Sequence, residues 1–266
     1  MSDDLTLLDA AHAACEANPE SDAARLRFYE RLADGEMFLL LEKEVENDLV
    51  EPRIFKLESG PVVLVFDREE RLAEFSGGVA PYAALPGRVV ANMLKGQGIG
   101  LGVNLGVAPS EMLLPPEALD WLAEALEPAP EEVEAKPEEF FKPAAPEALI
   151  EALSAKLAKA KGLAGAALLA GVVYSGGRRG HMLAFVDAAE GAEAALARAA
   201  REALVFSGVE AGEMDVTFLS GQDAVLPNLA RVGLAFDLAS PKPEQKPEAE
   251  KPKGPGMDPA KPPRLI

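Results

Sequence analysis

Cysteine is nearly missing from this 266-residue chain: Cys15 stands alone, which excludes an intrachain disulfide framework and any multi-cysteine zinc or iron–sulfur site. Histidine is almost as scarce, with only His12 and His181, so imidazole chemistry has little to draw on. Basic residues are outnumbered, 26 Lys and Arg against 44 Asp and Glu, and the net charge of −18 argues against a nucleic-acid binder that neutralises phosphates over a broad surface. No apolar run reaches the roughly 20 residues that span a bilayer. The most lipid-like stretch, residues 162–174, is followed almost at once by Gly176-Gly177-Arg178-Arg179 and reads as a buried strand or helix end. Met1-Ser2-Asp3-Asp4 is acidic where a secretory signal needs a basic start, so a cytoplasmic location is expected and no membrane partner.

What is present is apolar material enough to fill real cores, 48% of the residues. Proline and charge divide it into four pieces. Residues 1–127 carry 24 acidic and 10 basic residues, a net of −14. Residues 128–146 hold five prolines among Glu and Lys and read as a linker, with Phe140-Phe141 pinning it to one of the chain's own domains. Residues 147–240 form a second compact segment of net charge −3. Residues 241–266, with eight prolines and a net of +2, cannot bury enough apolar surface to offset ordering and are expected to form a disordered tail.

In the first piece, Leu5, Leu8, Ala11 and Cys15 fall at helical spacing, as do Leu26, Tyr29, Leu32 and Ala33, with Ser21 or Asp22 as cap and Gly35 as stop. Strands follow at Met37 to Leu41, Arg53 to Leu57 and Val62 to Phe66, then a helix after Asp67, a loop seated by Tyr82 and Leu85, a helix from Pro86 to Lys95, a strand from Ile99 to Leu105 and a helix from Pro115. The second piece reads helix (147–161), strand (168–174), strand (181–186), helix (192–206), strand (216–219), helix (224–231) and strand (233–236), its helices on one face of the sheet. The expectation is an α+β protein of two domains, each a small mixed or antiparallel sheet with helices packed on it, joined by a Pro-rich linker.

The succession Val63-Leu64-Val65-Phe66, Arg71-Leu72-Ala73-Glu74-Phe75 and Pro81-Tyr82-Ala83-Ala84-Leu85-Pro86-Gly87-Arg88 resembles the N-terminal domain of the SseB family, named for enhanced serine sensitivity. Gly100-Leu101-Gly102-Val103-Asn104-Leu105-Gly106 and Leu113-Leu114-Pro115-Pro116-Glu117 continue the pattern in order, with Leu105 standing where the family tends to have proline. The second piece is similar to the C-terminal domain that often accompanies it. The resemblance implies a bacterial cytoplasmic protein, without established catalytic residues or cofactor.

The glycines from Gly96 to Gly102 lack the spacing of a dinucleotide fingerprint, and they follow a helix where the fingerprint precedes one. Two apart on one strand face, they make a flat surface for close packing. Arg88, at a helix start that disfavours a cation, needs a carboxylate partner; structural pairing is the first use, and recognition of a carboxylate together with Tyr82 the second. Glu42, Glu44, Glu46 and Asp48 read as a solvated edge. No serine elbow, zinc pair or calcium loop is present, so no catalytic residue, metal ligand or cofactor is assigned. Tyr82, Arg88 and Asn104 are the binding residues expected, if they converge on a pocket with one carboxylate of the 42–48 strip. Two functions are carried forward: a non-enzymatic interaction or regulatory protein with a protein partner, and an enzyme or small-molecule binder linked to serine or amino-acid metabolism, which rests on the family's name alone.

Overall fold

The structure is a computed structural model in which residues 5–45, 50–127, 137–208 and 214–239 are described. The readings of residues 128–136 as linker and 241–266 as tail, and of Glu46 and Asp48 as edge charges, lie outside these residues.

The first body opens with α1 (Leu7–Ala17) and α2 (Asp22–Asp34). Thr6 caps α1 in a reciprocal box with Asp9, each side chain taking the other's backbone N–H, and the Ser21 hydroxyl accepts from the Ala24 amide to start α2. Then come β1 (Glu36–Leu40), β2 (Phe55–Leu57), β3 (Gly60–Phe66), α3 (Glu69–Ser76), β4 (Tyr82–Pro86), α4 (Gly87–Leu94), β5 (Gly100–Val103), β6 (Met112–Leu114) and α5 (Pro116–Leu126). The strands form a mixed sheet of order β4-β1-β3-β5-β6, with β3 and β5 parallel and β2 paired to the free half of β3. Alternation sends Leu39, Val63, Val65, Leu101 and Val103 into a main core beneath α1, α2, α4 and α5. Leu40, Val62, Leu64 and Phe66 face the other way, toward α3.

The second body contains β7 (Pro137–Phe141), α6 (Glu147–Ala158), β8 (Ala166–Tyr174), β9 (Arg179–Val186), α7 (Glu193–Phe206), β10 (Met214–Leu219), α8 (Leu226–Val232) and β11 (Leu234–Asp237). Its sheet runs β10-β9-β8-β11, with β7 on the other half of the edge of β8 that β11 uses. The α+β class and the two sheet-and-helix bodies are as the sequence indicates.

Three local readings change. Tyr82–Pro86 is an edge strand and no loop, pairing with β1 from Tyr82↔Leu40 to Pro86↔Glu36; an edge tolerates the proline. Pro137–Phe141, inside the segment read as linker, is a strand of the second sheet, and its Phe141 ring covers the bare Cα of Gly171. The second body is therefore under way before residue 147. Its helices also take both faces, α6 and α7 on Leu169, Leu183 and Phe185, and α8 through Leu229 on Leu168, Ala170 and Val186.

The bodies meet through helices. Phe206, the last residue of α7, belongs to the main core of the first body, and its ring stands edge-on to Trp121 of α5 at 6.4 Å.

Candidate functional site

Two buried charge clusters absorb most of the polar residues that the sequence brings forward. The first lies inside the first body. Arg71 on α3 donates through Nη2 to Asp9 Oδ2 at 2.6 Å and through Nη1 to Asp67 Oδ1 at 2.7 Å. Ser110 Oγ donates to Asp9 Oδ1 at 2.5 Å, and Asn104 Nδ2 donates to Ser110 Oγ at 2.8 Å. Burial alone would raise the Asp9 carboxyl, but hydrogen bonds from Arg71, Ser110 and the Thr6 amide hold it well below the usual range. Asn104 is wholly buried, takes a left-handed conformation (φ 49°), and accepts the Asp67 amide at 3.1 Å. With donors and acceptor engaged, it ties the end of β5 to the start of α3.

The second cluster lies between the bodies. Arg88 at the start of α4 donates to Glu202 of α7 at 2.9 Å and to Asp34 of α2 at 2.5 Å. Lys156 of α6, 5% exposed, donates to Asp34 and Glu202, both at 2.8 Å, and sits 3.5 Å from Glu30. Lys159 adds a further contact to Asp34 at 3.0 Å. Three cations thus balance three carboxylates. Burial would raise Asp34 and Glu202, yet their hydrogen bonds prevail: Asp34 is held down to about 2 by Lys156 and Lys159, and Glu202 is lowered by Arg88 and Lys156. The hydrogen bond to Glu202 is the main reason the Arg88 guanidinium is raised.

Sequence reading supplied Arg88 and its need for a carboxylate, but not Lys156, Glu202 or Asp34. A signal was available: Lys156 occupies the buried stripe of α6 with Leu149, Ala152, Leu153 and Leu157, and Glu202 stands beside Ala203 on that of α7. A charge on an apolar stripe implies a buried partner.

Tyr82 lies elsewhere. On β4 it faces outward, packs against Phe38 at 5.3 Å and donates to Glu69, which pushes its phenol up. Tyr82, Arg88 and Asn104 therefore do not converge: one is on the outer sheet face, one between the bodies, one in the first body's buried cluster. Glu42 and Glu44 stand in a loop beyond β1, where Glu42 meets Arg53 at 3.7 Å. His12 is buried edge-on to Phe28, Cys15 donates to the Ala24 carbonyl at 3.1 Å, and His181 is half-buried on β9. Among the described residues, no group of three or more His, Cys, Asp or Glu is set to hold a metal ion.

The outer face of the first sheet is covered at its centre and partly open at its margins. Register places Tyr82 and Ala84 of β4, Phe38 and Leu40 of β1, Val62, Leu64 and Phe66 of β3, Phe55 and Leu57 of β2, and Leu113 of β6 on one side. Among the described residues, the eight-residue α3, Ala80 and Leu105 with Val107 cover it. Leu57, Phe75, Tyr82 and Leu113 are left 36–43% exposed. Gly102 gives up its side-chain volume to Leu105 and Leu64, and Gly100 gives up its own to the Leu114 carbonyl and Val62, at the floor of a furrow of about 120 Å³ bounded by Pro61, Val62, Leu113 and Pro115. Carboxylates ring the face: Glu36, Glu58, Glu69, Glu70, Glu74 and Glu111 are all exposed, against Arg53 over the Phe55 ring at 5.3 Å. A second cleft of about 210 Å³, between α2 and α6, is lined largely by alanines and bridged by Arg27–Glu151 at 3.2 Å.

No helix among the described residues is long and apolar enough to cross a membrane. No curated protein and no solved structure matches the chain. The family described as SseB protein N-terminal domain matches residues 8–121, from the first helix to Trp121 on the last helix of the first body. Over those residues the first body is similar to the SseB family.

Proposed function

We propose that this is a non-enzymatic, cytoplasmic interaction or regulatory protein, and that the outer face of its first sheet docks a segment of a protein partner that is both basic and apolar. One observation carries the reading: Leu57, Tyr82 and Leu113 stay partly exposed at the margins of an apolar sheet face, with Phe75 on the short helix over its centre, inside a ring of carboxylates. Exposed apolar side chains within a polar rim are the form of a protein-docking site. The ring selects the charge of the occupant, and it disfavours a second copy of the same acidic face. Tyr82 is the one expected binding residue on this face, whereas Arg88 and Asn104 hold the architecture behind it.

A labelled synthetic peptide alternating Lys or Arg with Leu or Ile, titrated by fluorescence anisotropy against the full chain, tests the reading. Binding should weaken at least tenfold in Leu113→Asp and fall between 50 and 500 mM salt, as about 8 Å screening at physiological strength shortens further. Equal binding by Leu113→Asp, or by an acidic peptide of the same apolar content, would refute it.

A further inference from the structure

Resting on that reading, we infer that the chain's own Lys/Pro-rich segment, residues 240–266, is the resting occupant of the outer face, with Leu265-Ile266 in the furrow floored by Gly100. A partner then binds by displacing it.

Charge singles the segment out. Five stretches lie outside the described residues, and four of them, 1–4, 46–49, 128–136 and 209–213, are acidic, each with a net charge of −2. Residues 240–266 carry six basic and four acidic side chains, a net of +2, and are the one stretch of the five complementary to the ring around the face. The sequence Lys261-Pro262-Pro263-Arg264-Leu265-Ile266 also has the right order of chemistry. The furrow has room for one aliphatic side chain, and a carboxylate stands beside it: Glu58 precedes its lining residue Ser59. An aliphatic residue seated in the furrow would place the neighbouring Arg264 and nearby Lys261 beside Glu58. Prolines at 262 and 263 favour an extended backbone, which lowers the entropy lost on docking.

Reach does not limit the contact. Described structure stops at Ala239, just past β11, and 27 further residues at about 3.1 Å each could span roughly 84 Å. A compact chain of this size has a radius of gyration of only about 17 Å. Tethering also raises the segment's effective concentration to about the millimolar range, so even weak contacts keep it in place.

Zero-length cross-linking of the full chain with a carbodiimide, which joins a lysine amine to a carboxylate, tests this directly. In monomer at low micromolar concentration and 50 mM salt, Lys261 should link to Glu58 above all other carboxylates. Leu265→Asp with Ile266→Asp, changes outside both bodies, should lower that yield at least fivefold, as should 500 mM salt. Links spread evenly over the surface, links concentrated on the second body, no links, or a yield indifferent to the double change would each overturn the inference. No foreign peptide enters the experiment, so its failure is separate from a failed peptide titration.

Discussion

Replacing Lys156 by Met keeps the length and most of the packing of the side chain while removing the charge at the junction of the bodies. Asp34 and Glu202 would each lose a 2.8 Å hydrogen bond, and Glu30, also buried, would lose its cation at 3.5 Å. Arg88 remains to hold Asp34 and Glu202, but three carboxylates would then share Arg88 and the exposed Lys159. Breaking a buried pair by removing one partner costs about 3–5 kcal/mol, because the remaining charge stays desolvated. With an m-value of about 2–3 kcal/mol/M in urea, the midpoint should fall by roughly 1–2 M. The chain supplies its own probe, since its one tryptophan, Trp121, touches Phe206, and the Lys156 ammonium sits 5.7 Å from that same ring. Tryptophan emission followed against urea therefore reports the junction itself. Lys159→Ala serves as the control: Lys159 is 55% exposed, and such surface pairs are worth about 0–1 kcal/mol. If Lys156→Met shifts the midpoint no more than Lys159→Ala does, the cluster is not what holds the bodies together.

Acid should loosen the same junction. Asp34 is held at about 2 against an ordinary 3.8, so its contribution, roughly 2 kcal/mol, is present above pH 4 and lost as pH falls from there toward 2. Asp9 and Glu202 are lowered as well and add losses of the same sign. Urea midpoints that stay level between pH 5 and pH 2.5 would contradict this. Gly87→Ala should cost upward of about 3 kcal/mol, because an added Cβ would lie 1.8 Å from the Leu32 carbonyl oxygen where α4 crosses α2. A variant melting within two degrees of the parent would show that the two helices can part.

Most elements were legible because their signals are local. Ser21 and Gly35 bracket α2, and the alternation or continuity of apolar residues marks β3, β8 and β9. What escaped was short, marginal or distant. Met112–Leu114 has three residues before a proline, and Pro137–Phe141 is a half-length edge strand in a stretch whose composition reads as linker. Tyr82–Pro86 alternates only weakly, its inward positions being Ala83 and Leu85. Resemblance located Tyr82, Arg88 and Asn104 without saying which served architecture. Asp34 and Lys156 lie 122 residues apart, and no local pattern can pair them. The partly open sheet face needed register as well as burial: Leu57, Tyr82 and Leu113 share a side only once the pairing of β2, β4 and β6 is known.

Phe206 also sets an order of events during synthesis. It completes the core of a body whose own last helix ends at Leu126, 80 residues earlier in the chain. At about 5–20 residues per second, the ribosome needs roughly 4–16 s to cover that interval. For that time the inner face of the first body awaits Phe206. Until α7 arrives the first body lacks one side chain of its core, and a stop codon placed anywhere in between would leave that place unfilled.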